Sequence, residues 1–395
     1  MKFFHLSDLH IGKQLHGFSL IRDQKYILDQ ILELIRERKP DALLVAGDIY
    51  DKSAPSAEAV VVFDEFLTEL SRIEDGPTVC IVSGNHDSGE RLSYGSRLFA
   101  DHNIHIAGNA PDKDAPEVQK ISLEDGYGPV HIYMLPFFRP SYVRELAGLE
   151  DVKSYEDAMR GLVAGMNVDI KERNILLCHQ FFTNHGREPE RSDSESVNVG
   201  GQDNIDASAV EEFDYVAVGH IHRPQYVVRP ADGDKSSVIV RYCGSPLKYS
   251  VSEAGWEKSV TEVELGPKGE VNMEMLPLRP LHDVRKIQGT LTELTSPLVL
   301  AAADPEDYVS VILTDEEELY EPGQALARVY PHMLEWKVEN SRTRHEMQDV
   351  SIKEEKKSVL ELFADFYQTM RGTEPDEKQM SVMEKIIKAA GGERE

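Results

Sequence analysis

Cysteine is nearly absent from this chain of 395 residues. Cys80, Cys178 and Cys243 are scattered, form no CxxC pair, and each falls in a β-like run. Buried reduced thiols are therefore expected, and a disulfide or a thiolate zinc site is not. Also missing is any apolar run long enough to cross a bilayer. The N-terminus lacks the basic region, apolar stretch and small-residue cleavage site of a signal peptide; Phe3-Phe4 leads straight into a strand. A cytoplasmic protein with no membrane partner is the expectation. Cations are scarce, with 43 Lys and Arg against 70 Asp and Glu and a formal charge of −27. That balance argues against broad, nonspecific nucleic-acid binding but leaves room for a local positive site inside an acidic body. No internal repeat or Gly/Ser linker divides the chain. No G-x-x-x-x-G-K-[ST] occurs either, so the chain supplies no P-loop ATPase of its own.

What is present suits one large domain with one or two smaller ones. Residues 22–38 carry Ile27, Ile31, Leu34 and Ile35 at helical spacing, ending at Lys39-Pro40. Residues 42–46 form a continuous apolar strand, as in a sheet covered on both faces. A helix is expected over 56–72, and strands over 78–82, 130–135, 174–178 and 215–218. This alternation predicts a layered α/β domain whose ligands leave the C-terminal ends of its strands. The polar stretch 184–206, with Arg187, Arg191 and Gly200-Gly201, is too long for an ordinary connection, and loops of this length are commonly functional or mobile. Strand-like segments at 226–229, 238–243 and 260–264 follow, and the pattern changes around 276–280.

From there, residues 284–340 read as a small α+β unit, with strands near 284–290 and 308–313 and a helix near 323–330. Within it, 304–321 holds eight carboxylates and no Lys or Arg, read as a solvated face. In the tail, Val359, Leu360, Phe363, Phe366, Tyr367 and Met370 make an amphipathic stripe that Gly372-Thr373 and Pro375 break. Met380, Met383, Ile386 and Ile387 make a second. Periodicity alone leaves open whether these two helices dock on the body or on a partner.

The chemistry lies where the strands end. Asp8-Leu9-His10 closes the first strand, and in extended backbone residues i and i+2 point the same way. A carboxylate and an imidazole can thus meet one ion. Ligand-type residues end four further apolar strands, in Gly47-Asp48, Gly84-Asn85-His86-Asp87, Cys178-His179 and Gly219-His220-Ile221-His222. Gly47, Gly84 and Gly219 let the backbone approach the cluster closely. Asp8, His10, Asp48, Asn85, His179, His220 and His222 are too many ligands for one ion and fit two that share a carboxylate. Nitrogen and oxygen donors without thiolate suit Mn²⁺, Fe or Zn²⁺. Two divalent ions, two carboxylates and a bridging hydroxide leave about one net positive charge, which attracts a phosphate for in-line displacement. His86, beside Asn85 but aimed elsewhere, is the candidate general acid for the leaving alkoxide. His5, His16 and His185 lack a strand-end context and stay outside the site.

These motifs resemble the calcineurin-like metallophosphoesterases. The extended forms Ser7-Asp8-Leu9-His10-Ile11-Gly12, Gly47-Asp48-Ile49-Tyr50-Asp51, Ser83-Gly84-Asn85-His86-Asp87-Ser88, Gly219-His220-Ile221-His222-Arg223-Pro224-Gln225 and Gly244-Ser245-Pro246-Leu247 are similar to its SbcD branch. The resemblance implies a β-sandwich flanked by helices over 1–278, a capping domain over 279–349 and a partner-binding helical tail over 350–395. It assigns Asp8, His10, Asp48 and His222 to one Mn²⁺, and Asp48, Asn85, His179 and His220 to the other, with His86 catalytic. It further implies a nuclease of double-strand ends and hairpins that works with an SbcC ATPase in DNA repair, replication and recombination, and that forms a homodimer. One departure stands out: archaeal and eukaryotic relatives carry a second histidine three residues after the bridging Asp, where this chain has Asp51. Two other readings use the same residues. A small-molecule or nucleotide phosphodiesterase or phosphatase suits the acidic charge, and a scaffold with a vestigial site is disfavoured by the complete ligand set.

Overall fold

Residues 42–46, apolar at every position, form a central strand buried on both faces, and the architecture is built outward from strands of this kind. The computed structural model describes residues 1–146, 148–195, 204–229, 238–341, 359–371 and 373–389. Gly200-Gly201, Gly372 and the 349/350 boundary lie outside the described residues.

The first sheet has six strands: β1 (Lys2–Leu6), β2 (Ala42–Ala46), β3 (Thr78–Val82), β4 (Ile104–Ala107), β11 (Ser259–Leu265) and β12 (Val271–Pro277). Their order is β12-β11-β1-β2-β3-β4, with β1 to β4 parallel and the last two strands antiparallel. A second six-stranded sheet contains β5 (Gln119–Asp125), β6 (Gly128–Leu135), β7 (Arg173–His179), β8 (Tyr215–Gly219), β9 (Gln225–Val228) and β10 (Ile239–Tyr242), ordered β9-β10-β8-β7-β6-β5. Phe3, Leu44 and Val82 of the first sheet meet Ile132, Leu177 and Tyr215 of the second in an apolar layer. Each such side chain contributes about 1.5–3 kcal/mol on burial.

Helices cover the outer faces. α1 (Ile21–Arg38) and α2 (Ala57–Ser71) pack on the first sheet, and α3 (Tyr155–Met166) on the second. α1 buries Ile27, Ile31 and Ile35 and stops where Lys39 turns left-handed before Pro40. Ser56 caps α2 by accepting the Ala59 amide at 3.2 Å. α3 and β4, β5 and β12 were not expected from periodicity. α3 nevertheless has a capping box in which Ser154 and Asp157 satisfy each other's amides.

The small unit is a three-stranded parallel sheet, β13 (Val284–Gly289), β14 (Tyr308–Leu313) and β15 (Met333–Val338), with β14 in the centre and the helix α4 (Pro322–Ala327) before β15. It is seated on α1: Asp23 accepts from the His282 backbone at 3.2 Å and from Tyr308 Oη at 3.1 Å. The acidic run is not wholly a solvated face. Asp307 is buried, accepts the Asp283 amide at 2.7 Å and pairs with Arg285 at 2.6 Å. α5 (Val359–Arg371) and α6 (Glu377–Ala389) form the tail, joined where Gln379 Nε2 donates to Tyr367 Oη at 2.9 Å. Among the described residues no helix is long and apolar enough to cross a membrane.

Candidate metal centre

Five strands of the two sheets, β1, β2, β3, β7 and β8, deliver their C-terminal ends to one place at the edge of the sandwich. The backbone there is held in costly conformations. Asp8, His10, Asp48 and His220 have φ of 54°, 43°, 51° and 108°. Non-glycine residues in such regions cost about 1–3 kcal/mol each and persist where surrounding structure imposes them. Here the imposition is visible: the amides of Asp8 and His10 donate to the carbonyls of Gly47 and Asp48 at 3.0 and 2.9 Å, zipping two ligand loops together. From α1, Gln24 donates to the His10 carbonyl at 2.7 Å and accepts the Gly12 amide at 2.9 Å. The glycines are sterically required. A Cβ at Gly84 would collide with the Asp48 carboxylate and amide, and one at Gly219 with the Ala46 carbonyl.

All eight side chains singled out in the sequence converge. His10 Nε2 and His222 Nε2 face each other at 3.1 Å. Asp48 Oδ2 lies 3.5 Å from His10 Nε2 and 3.5 Å from His179 Nε2, between the two groups. Asn85 Oδ1 stands 3.0 Å from both His179 Nε2 and His220 Nδ1. Asp8, His10 and His222 form one cluster with ligand atoms within 4.8 Å of one another, and Asp8, Asp48 and His179 form a second. His86 also comes within that distance of His10 and Asp48. His5 lies apart, its Nδ1 3.0 Å from Tyr215 Oη between the sheets.

Second partners orient the rings. His179 Nδ1–H donates to the Ala46 carbonyl at 2.8 Å, which frees Nε2 as a lone-pair donor. His222 Nδ1 contacts Ser194 Oγ at 2.8 Å and Glu253 Oε1 at 3.5 Å. His86 Nδ1–H donates to the Asp51 carbonyl at 2.9 Å. Burial holds His10 well below the usual imidazole range, and burial with neighbouring His179 lowers His220 to about 3. Both rings are neutral and able to ligate. Burial opposes ionisation of Asp48, but His179, His10, His86 and the His86 amide outweigh it and hold the carboxyl low. Burial and the Asp48 charge raise Asp87 to about 6, although it accepts amides from Gly84, Tyr50 and Ile49 at 2.8, 2.9 and 3.1 Å.

Two buried imidazole nitrogens at 3.1 Å, with His222 Nδ1 turned to hydroxyl and carboxylate, repel unless a cation or proton lies between them. Ligands bound at about 2.0–2.1 Å stand roughly 3.0–3.4 Å apart, so the spacing fits a first-row divalent ion. The Asp48 carboxylate, shared by both halves, fits a pair of ions.

Several supporting residues carry no sequence signal. Glu253 and Lys258 are buried and paired at 2.6 Å behind His222, whose carbonyl Lys258 also holds at 2.9 Å. Glu195 Oε1 accepts the His222 amide at 2.7 Å. Asp87 lies inside the Gly-Asn-His-Asp motif, yet its role as acceptor for two loops emerges only from the fold. Asp51 pairs with Lys13 at 2.9 Å and lies 3.8 Å from His10 Nδ1.

Residues 1–224 match the family model described as calcineurin-like phosphoesterase. Residues 279–371 match one described as type 5 capsule protein repressor C-terminal domain. The chain is similar to the SbcD subunit of the SbcCD nuclease of Staphylococcus epidermidis (strain ATCC 12228 / FDA PCI 1200), 31% identical over 337 residues that span 85% of this chain and 84% of the relative. Among solved structures, a dimetal phosphatase from Danio rerio aligns over 71% of this chain and 98% of its own at 13% identity and a TM-score of 0.44. The phosphopantetheinyl hydrolase of Mycobacterium tuberculosis aligns over 62% and 90% at 15% identity and a TM-score of 0.36.

Proposed function

The chain belongs to the calcineurin-like phosphoesterases and, within them, to the SbcD family of nuclease subunits, and from that premise we propose that it hydrolyses DNA phosphodiesters at double-strand ends and hairpins. As a member it is a dinuclear-metal hydrolase. Asp8, His10, Asp48 and His222 would hold one ion and Asp48, Asn85, His179 and His220 the other. Mn²⁺ is the ion proposed for so imidazole-rich a set, with Fe and Zn²⁺ the other ions such donors take. Bound there, the pair would supply positive charge for the phosphate and an activated water. The observation that carries the reading is the Asp48 carboxylate standing between two nitrogen-rich groups.

The chain's own residues do the rest. His86, anchored through Nδ1–H on the Asp51 carbonyl, keeps Nε2 at the cluster edge, where it gives a proton to the leaving oxygen. Asn85 contributes oxygen without charge, which preserves attraction for an anionic substrate. Residues 1–278 would form the nuclease body, 279–349 a cap, and 350–395 the arm that binds an SbcC-type ATPase, in a homodimeric assembly that acts in DNA repair, replication and recombination.

Metal-stripped protein tests this directly. Re-addition of Mn²⁺ should restore two ions per chain and cleavage of linear duplex DNA, further stimulated by SbcC and ATP. Mg²⁺ should restore little, because it prefers oxygen ligands and keeps its waters. Hydrolysis of free nucleotides with no cleavage of DNA would replace this reading by the small-molecule phosphodiesterase that the −27 charge also suits.

A further inference from the structure

His86 marks the leaving-group side of the cluster, and the protein surface there is the turn at 51–53. The ring is tied to that turn by its 2.9 Å hydrogen bond to the Asp51 carbonyl and stands 4.9 Å from the ring of His10. Three cations from three separate segments gather on the turn. Lys13, from the loop after β1, reaches Asp51 Oδ1 at 2.9 Å. Lys52 lies in the turn and is exposed. Arg91, in the short helix Gly89–Leu92 that follows the Gly-Asn-His-Asp loop, is exposed and donates to the Ser53 carbonyl at 3.1 Å. Apart from the cluster's own Asp8 and Asp48 and the neighbouring Asp87, the carboxylates of these segments are Asp51 and the exposed Glu90, which accepts from Ser88 Oγ at 3.1 Å. The corner therefore stays net positive on a chain whose formal charge is −27.

We propose that this turn is a phosphate subsite, where Lys13, Lys52 and Arg91 receive the phosphate next to the scissile one on the leaving-group side of a nucleic-acid strand. The proposal rests on the nuclease reading of the neighbouring site. A strand repeats its charge about every 3.4 Å of helix axis. Cations one step from the cluster therefore bind a polymer and do nothing for an isolated phosphodiester. Lys13 is the pre-set member: its side chain is 17% exposed and that of Asp51 14%, so the pair holds the ammonium in place. A phosphate arriving there exchanges one anionic partner for another. Lys52 and Arg91 are already in water and lose less hydration on contact.

The test compares two substrates on the full-length, Mn²⁺-loaded protein: bis(p-nitrophenyl) phosphate, which has no neighbouring phosphate, and a short DNA duplex. Lys13→Gln/Lys52→Gln/Arg91→Gln should hydrolyse the first within about twofold of wild type. Its kcat/KM on the duplex should fall roughly 10- to 100-fold, mainly through KM. Fluorescence anisotropy of metal-free protein with labelled duplex supplies an activity-independent readout. There the slope of log affinity against log salt should become shallower by about 1. Lys52→Gln alone, an exposed change, should show the same signs at smaller size, and Lys13→Arg/Arg91→Lys should restore the slope.

Equal losses on both substrates, an unchanged salt slope, or failure of the charge-keeping variant to restore binding would each overturn the subsite. Wild-type protein that hydrolyses the small diester but no DNA would overturn the nuclease reading itself.

Discussion

His222 is gripped at both ends, and this grip shows how the site depends on single residues. Lys258 Nζ binds the His222 carbonyl at 2.9 Å, Ser245 Oγ at 2.8 Å and Glu253 Oε2 at 2.6 Å, while Glu253 Oε1 faces the ring. Burial opposes the Glu253 charge, but Lys258 and His222 outweigh it and keep the carboxylate ionised. Lys258→Met takes away the buried ammonium that pairs with that carboxylate and should cost about 3–5 kcal/mol in guanidinium unfolding. Lys258→Met/Glu253→Gln removes both charges and should recover part of the loss. His86→Ala tests a different role. It should keep two ions by elemental analysis and lose roughly 10²- to 10⁴-fold in turnover, the usual worth of a general acid. Loss of metal in that variant would make His86 a ligand.

Among elements, the Gly84 loop is the least tolerant. No side chain fits between it and Asp48, so Gly84→Ala should abolish metal uptake and cost the metal-free protein about 1–3 kcal/mol in guanidinium unfolding, while its far-ultraviolet circular dichroism stays that of a folded chain. The tail obeys a different logic. α5 and α6 meet through Tyr367 and Gln379, and Phe363 packs its ring against Tyr367 at 5.9 Å. Phe366, Met370, Val382 and Ile386 remain 53–68% exposed. Helices of 13 residues are marginal alone in water, and an uncovered Met and aromatic face suits a groove on a partner. Phe366→Asp/Ile386→Asp should leave metal content and basal phosphodiesterase activity unchanged and abolish co-purification with SbcC. Wild-type assembly by that variant would place the partner elsewhere.

At the scale of the molecule, the two sheets are held together by an apolar layer with one histidine in it. Burial, aided by the charge of Arg241, lowers His5 to about 3, and among the described residues its Nε2 has no hydrogen-bond partner. An unfolded chain protonates this ring below about 6.5. The unfolded state therefore binds the extra proton as pH falls from 6.5 towards 3, and stability is lost across that window. His5→Gln should flatten the acid limb of the unfolding free energy by up to about 1.4 kcal/mol per pH unit between pH 6 and 4. An unchanged limb would mean that His5 charges without opening the sandwich.

Strand ends and chemistry were legible together because both are local. An apolar run followed by Asp-x-His or Gly-Asp states where a strand stops and what stands at its tip, so β1, β2, β3, β7 and β8 and all eight convergent side chains could be read directly. Patterning also located α1, α2, α5 and α6, whose apolar residues recur at helical spacing. It missed β5, which alternates between exposed and half-buried residues at a sheet edge, and β15, likewise at the edge of its sheet. Partners distant in sequence lay beyond it altogether. Glu253 and Lys258 meet His222 from about 30 residues away, Asp307 sinks from an acidic run onto Arg285, and Asp51 finds Lys13. Local sequence settles backbone state and which side chains stand at a strand's end. Only the closed sandwich decides which charges lose their water, and a charge without water must have a partner wherever the chain supplies one.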